Sequence, residues 1–239
     1  RAGTRVVSGP KQARYQAAPR PDWEIYLLGF CRTLSPMMHE DDLPGTAVAD
    51  HRRRPVIGVM GSGVDPNDTL ARAVGGWVAR QGFHLLTGGG EGVMAAVSKA
   101  FAAVTDRRGL VIGVLPSIED DPGCSQPAGY PNRWVELAIR THLPLSGASG
   151  TSLLSRNHIN VLTADVVVAL PGGPGTASEV QLATRYRRPC VALVADRSQI
   201  PGLPDQVVSV STLEEVAAFV LEQVGRGTGA AETGGSSHG

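Results

Sequence analysis

Between residues 54 and 224 the chain alternates two kinds of apolar pattern. Unbroken runs rich in Val, Ile and Leu occur at 56–60 (VIGVM), 83–87 (FHLLT), 110–116 (LVIGVLP), 166–170 (VVVAL) and 191–195 (VALVA). Their length and β-branched content predict strands buried on both faces. The segments between them carry helical spacing. Asn67 or Asp68 can cap a helix reaching Arg80, with Leu70, Val74, Trp77 and Val78 on its apolar face. Further helices are predicted over 92–104, 151–163 and about 177–187. A last one, over 213–224, has Thr212 as its cap and Glu215 three residues on, the signature of a capping box. VELAI (135–139) reads as a short fourth strand and Val207–Val210 as an edge strand, while the Pro/Gly-rich 117–133 segment reads as a loop. Buried strands alternating with amphipathic helices predict an α/β fold: a Rossmann-like, doubly wound, mainly parallel sheet with helices on both faces.

The flanks differ from this body. Residues 1–53 read as an irregular N-terminal extension, in which WEIYLLGF (23–30) is a short apolar island and His39-Glu40-Asp41-Asp42 an acidic cluster. With no further ligand group nearby in sequence, that cluster reads as a solvated loop and not as a metal site. Residues 225–239, rich in Gly, Ser and Thr, read as a disordered tail. The division is therefore extension 1–53, nucleotide-binding domain 54–224, tail 225–239.

Composition narrows the function. The 239 residues have zero formal net charge, so nothing electrostatic calls for nucleic acid or an anionic membrane. Cys31, Cys124 and Cys190 are odd in number and form no C-x-x-C pair, which argues against a disulfide framework or zinc site and fits a reducing cytoplasm. No apolar stretch reaches the roughly 20 residues that span a bilayer.

Ligands of doubly wound sheets bind beyond the carboxyl ends of the strands. Three Gly-rich segments fall there: Gly61-Ser62-Gly63, Gly88-Gly89-Gly90 with Gly92, and Gly172-Gly173 with Gly175-Thr176. Each follows a strand and opens toward a helix, the setting in which backbone N–H groups and a helix N-terminus hold a phosphate. Three such loops on one edge predict a phosphate- or nucleotide-binding crevice. None of the strand-to-helix turns carries the dinucleotide fingerprint G-x-G-x-x-G, the P-loop or the G-x-S-x-G elbow.

Two charged residues flank the last loop. In PGGPGTASE (171–179), Thr176-Ala177-Ser178-Glu179 fits a capping box, with Thr176 as N-cap and Glu179 in the first helical turn. The same Glu179 would stand beside the anion loop, where a carboxylate can orient water, bind ribose hydroxyls or support a sugar cation. Arg156, on one helix face with Asn160 and Thr163, is placed to reach that crevice and to pair with phosphate or with Glu179. His158, among apolar neighbours, reads as a satisfied core histidine.

PGGPGTASE resembles the P-G-G-x-G-T-x-x-E motif of the LOG (Lonely Guy) family. The run SRNHINVLTADVVVALPGGPGT is similar to that family's arginine-to-motif stretch, and VIGVMGSG and LLTGGGEGVMAAV are similar to its first two phosphate-side segments. The resemblance implies hydrolysis of the N-glycosidic bond of nucleoside 5′-monophosphates, releasing base and ribose 5-phosphate, with Arg156 and Glu179 as the catalytic pair. It implies Gly172, Gly173, Gly175 and Thr176 around the 5′-phosphate, no required cofactor or metal, and a homodimer with sites near the interface. One position departs: where these enzymes carry Lys after the arginine, this chain has Asn157. SRNHIN and Pro174 look more like the sister group of molybdenum-cofactor carrier proteins, which bind a pterin phosphate without cutting it. A nucleoside monophosphate and a pterin phosphate are thus both expected ligands.

Overall fold

The computed structural model describes residues 53–232, apart from 122 and 124. WEIYLLGF and the 39–42 acidic cluster lie outside the described residues.

Seven strands form one sheet: β1 (Val56–Met60), β2 (His84–Thr87), β3 (Val111–Leu115), β4 (Leu137–Arg140), β5 (Val166–Ala169), β6 (Cys190–Leu193) and β7 (Val208–Val210). Their order is β4-β3-β2-β1-β5-β6-β7, and every pairing is parallel. The central strands β1, β2, β3, β5 and β6 are buried almost throughout, which is why they read as continuous apolar runs. β4 is the exception. It begins at Leu137, two residues after the start of the predicted VELAI strand, and its edge position leaves Leu137 exposed.

Among the described residues five α-helices cover the sheet: α1 (Asp68–Arg80), α2 (Val93–Ala102), α3 (Asn157–Thr163), α4 (Pro174–Arg185) and α5 (Leu213–Glu232). Helices α1, α2 and α5 pack on one face through Val74, Val78, Val97, Phe101, Val216 and Val220. Trp77 meets Phe83 edge-on there, with ring centroids 6.2 Å apart. Helices α3 and α4 cover the other face through Val161, Ala177, Val180, Leu182 and Ala183. The doubly wound, Rossmann-like fold of the sequence reading is therefore the observed one.

Helix boundaries needed three corrections. Helix α3 starts at Asn157, because residues 151–156 form turns and not the first half of a helix. Helix α4 starts at Pro174 with Gly173 as N-cap, since proline's fixed φ and missing N–H suit the first helical position. Helix α5 continues past residue 224 to Glu232, into the segment expected to be disordered, and a 2.6 Å Glu222–Arg226 pair supports the first of the added turns. Its start is as read: the Glu215 N–H donates to Thr212 Oγ1 (3.3 Å) and the Thr212 N–H donates to Glu215 Oε2 (3.0 Å).

The chain enters at β1, works outward to β4, then returns to β5 on the other flank of β1. The crossovers diverge between β1 and β5, so a crevice opens at the carboxyl ends of those two strands.

Candidate functional site

A cleft of about 170 Å³ lies at that point, and Gly61, Gly63, Gly88, Gly147, Gly175, Arg156 and Glu179 are among its lining residues. All three Gly-rich loops thus reach one place. They are tied together there: the Ser62 N–H and Asn67 Nδ2 both donate to Pro171 O (3.2 and 3.3 Å), and the Val93 N–H donates to Ser62 O (2.8 Å).

Not every predicted phosphate ligand is free to serve. The N–H groups of Ser62, Gly89, Gly90 and Gly172 bond to Pro171 O, Thr87 Oγ1, Met94 Sδ and Gln199 O. The Ser62 hydroxyl accepts from the Val64 and Asp65 N–H groups. Gly92 sits at φ +63° and precedes α2, where a side chain would strike the Ser62 carbonyl. These glycines shape the loops. The amides of Gly175 and Thr176, in the first turn of α4, have no carbonyl of their own helix to reach, so the anion-binding end narrows to that turn.

Arg156 reaches the cleft from the residue just before α3. Its side chain lies directly over Gly88, where any Cβ would overlap the guanidinium. Arg156 is only 3% exposed, yet its Nε and Nη1 have no hydrogen-bond partner among the described residues. Its nearest carboxylate oxygen is Glu179 Oε1, 3.9 Å from Nη1. The expected Arg156–Glu179 pairing is present, but it is long.

Glu179 stands in the second turn of α4, so it cannot close a capping box, and Thr176 is not the N-cap. Buried to 8% exposure, it accepts from Asn160 Nδ2 at 3.2 Å. Burial pushes its pKa up, and the opposing pull of Arg156 and Asn160 does not cancel this. Thr176 Oγ1 is buried without a partner.

Asn157 is buried too, and its Nδ2 donates to Ser178 Oγ at 3.1 Å. Ser178 Oγ in turn lies 2.7 Å from Gly175 O. This network locks α3 to α4 beside the cleft. His158 is hydrogen-bonded as read, with its ring nitrogens 2.6 Å from the Tyr186 hydroxyl and 2.8 Å from Ser152 O, but it is half-buried and not part of the core.

Several lining residues escaped the sequence reading, among them Met94, Tyr130, Ser146 and Gly147. Tyr130 reaches the cleft from the 117–133 loop, whose composition carries no recognisable code. Among the described residues no three His, Cys, Asp or Glu side chains group to hold a metal, and no helix is long and apolar enough to cross a membrane.

Comparison with known proteins agrees with this geometry. Residues 54–220 match the SLOG cluster4 family. An uncharacterised protein of Archaeoglobus fulgidus is 30% identical over 159 residues, spanning 64% of this chain and 91% of that one. The molybdenum cofactor binding protein of Rippkaea orientalis is 33% identical with a TM-score of 0.57, covering 72% of this chain and 99% of that one. The Moco carrier protein of Chlamydomonas reinhardtii is 31% identical with a TM-score of 0.56, covering 73% and 99%.

Proposed function

The chain belongs to the SLOG cluster4 family, and we propose that it is a carrier whose cargo is a phosphorylated pterin, the molybdenum cofactor, held at the mouth of β1 and β5. The observation that carries this reading is Arg156. A buried guanidinium with two unpartnered nitrogens and its nearest carboxylate oxygen 3.9 Å away is costly by itself. A phosphate between it and the first turn of α4 would satisfy both. The similar proteins of Rippkaea and Chlamydomonas, described as binding or carrying that cofactor, support the choice of cargo.

Two features favour holding over cutting. Burial raises the Glu179 pKa, so the ionised carboxylate that would stabilise a sugar cation is more costly there than in water. Asn157 stands where the hydrolases carry lysine, and its amide is engaged by Ser178. The cargo is expected to be carried by a cytoplasmic homo-oligomer, which light scattering on the loaded protein checks.

A second reading keeps the proximity of Arg156 and Glu179 as its support: a nucleoside 5′-monophosphate phosphoribohydrolase. Arg156 would hold the phosphate, and an ionised Glu179 would stabilise the oxocarbenium-like state as the C1′–N bond breaks and water adds at C1′. One experiment separates the two. The protein is purified from a host that makes the molybdenum cofactor, denatured, and its released small molecules are oxidised and identified by fluorescence and mass spectrometry. The carrier reading expects a pterin in the wild type, its loss in Arg156→Gln, and no adenine released from AMP. Absence of pterin together with Glu179-dependent release of adenine would establish the hydrolase instead.

A further inference from the structure

We infer that Tyr130 is the residue that contacts the ring system of the ligand, and that the Gly88–Gly90 turn fixes its spacing from Arg156. The inference rests on reading the cleft as a site for a phosphorylated ring compound. Its own support is the seat that the 88–90 turn gives to Tyr130 beside Arg156. Gly88 seats the Arg156 guanidinium, and Gly90 seats the Tyr130 ring: a Cβ on Gly90 would come within 2.7 Å of Cζ and 2.8 Å of the hydroxyl oxygen. The two glycines are separated by one residue, so their Cα atoms stand at most about 7 Å apart. One short turn therefore presents a cation and an aromatic side chain to the same cleft.

The aromatic side is anchored. Asn132, 5% exposed, donates its N–H to Gly89 O (2.7 Å) and its Nδ2 to Gly90 O (2.8 Å). The Tyr130 N–H donates to Pro127 O at 3.1 Å. The loop that carries the ring is thus hydrogen-bonded to the turn that seats it. Met60 and Met94 line the cleft as well, and thioethers are favourable neighbours for an aromatic or heteroaromatic ring. A planar ring gains from an aromatic contact whatever its substituents, whereas a bare sugar phosphate has no face to offer. Tyr130 would then set the preference for ring-bearing ligands over simple phosphates, while Arg156 and α4 serve both.

The test is isothermal titration with two probes, neopterin monophosphate and ribose 5-phosphate, on the full chain. Removing one aromatic stacking partner weakens binding by about 5- to 150-fold. Tyr130→Ala and the bulkier Tyr130→Leu are expected to weaken neopterin monophosphate within that range and to leave ribose 5-phosphate within about threefold, while Tyr130→Phe keeps both near wild type. Tyr130→Leu fills space without an aromatic face, so a loss shared by both variants is not a cavity effect. Equal weakening of both probes in Tyr130→Ala and Tyr130→Leu, or no weakening of either, overturns the inference. So does wild-type binding of ribose 5-phosphate without neopterin monophosphate. Arg156→Gln is measured alongside: if it leaves both probes bound as in the wild type, the reading of the cleft itself fails, a result distinct from failure of Tyr130 alone.

Discussion

Gly88→Ala replaces a hydrogen by a methyl group where the Arg156 guanidinium lies. Arg156 is 3% exposed and its guanidinium occupies the space a Cβ would take, so either Arg156 leaves its seat or the 88–90 turn shifts. Forcing one extra carbon into close-packed surroundings costs about 1–3 kcal/mol. In a chain of this length each kcal/mol lowers Tm by about 2–4 °C, so a fall of about 2–12 °C is expected. A displaced Arg156 also loses its charged hydrogen bonds to phosphate, worth about 1.5–3 kcal/mol, which corresponds to roughly 10- to 150-fold weaker binding of neopterin monophosphate. Gly173→Ala is the matched control. It lies in the neighbouring loop at φ −91°, and a Cβ there meets nothing within 4 Å. Alanine is the poorer N-cap by about 0.5–1 kcal/mol, so the Tm of this variant is expected to fall by about 1–4 °C while the Arg156 seat stays untouched. Calorimetry and titration on both variants decide the matter. A Gly88→Ala protein with wild-type Tm and wild-type affinity would refute the placement of Arg156 over that glycine.

Glu179 supplies a pH test. Its folded pKa is raised, so between the unfolded value and the folded one the native chain keeps a proton that the unfolded chain has released. Stability therefore falls as pH rises through that window; urea melts across it should show this slope in the wild type and not in Glu179→Gln. Asn157→Lys would place an ammonium at a buried position whose neighbour is the Ser178 hydroxyl, so Tm should drop by at least about 2 °C per kcal/mol of a multi-kcal/mol penalty, as thermal unfolding would reveal. Retention of the wild-type Tm would count against that packing. The Cys190 thiol is pushed up to about 12 by burial on β6, so native protein at pH 8 should leave Cys190 unalkylated in peptide maps while urea-unfolded protein modifies it fully.

The sheet was open to sequence reading because strands buried on both faces cannot afford polar residues, and VIGVM and VVVAL show none. Helix starts were harder. Thr176 and Glu179 have the spacing of a capping box, but Pro174 beside Gly173 is the stronger start signal, and the helix begins there. Arg156 and Glu179 could be placed near one another from their chain positions. The burial of Arg156 could not, because it depends on Gly88, in a loop that the sequence separates from it by the whole of β3 and β4. Tyr130 was unreadable for the same reason: its seat is Gly90, and only the folded sheet edge brings the two together.

The turn at 88–90 also determines where this protein can change. Side chains are barred at Gly88 and Gly90 by Arg156 and Tyr130, and at Gly61 by Val93. Mutation can scarcely retune the mouth of the cleft from the sheet side without dislodging what already packs there. The 117–133 loop is held to the turn chiefly by the two Asn132 bonds, which accept any residue at the neighbouring positions that leaves that asparagine in place. A lineage that exchanged one cargo for another would find its freedom in that loop, with the sheet and its glycines left as they are.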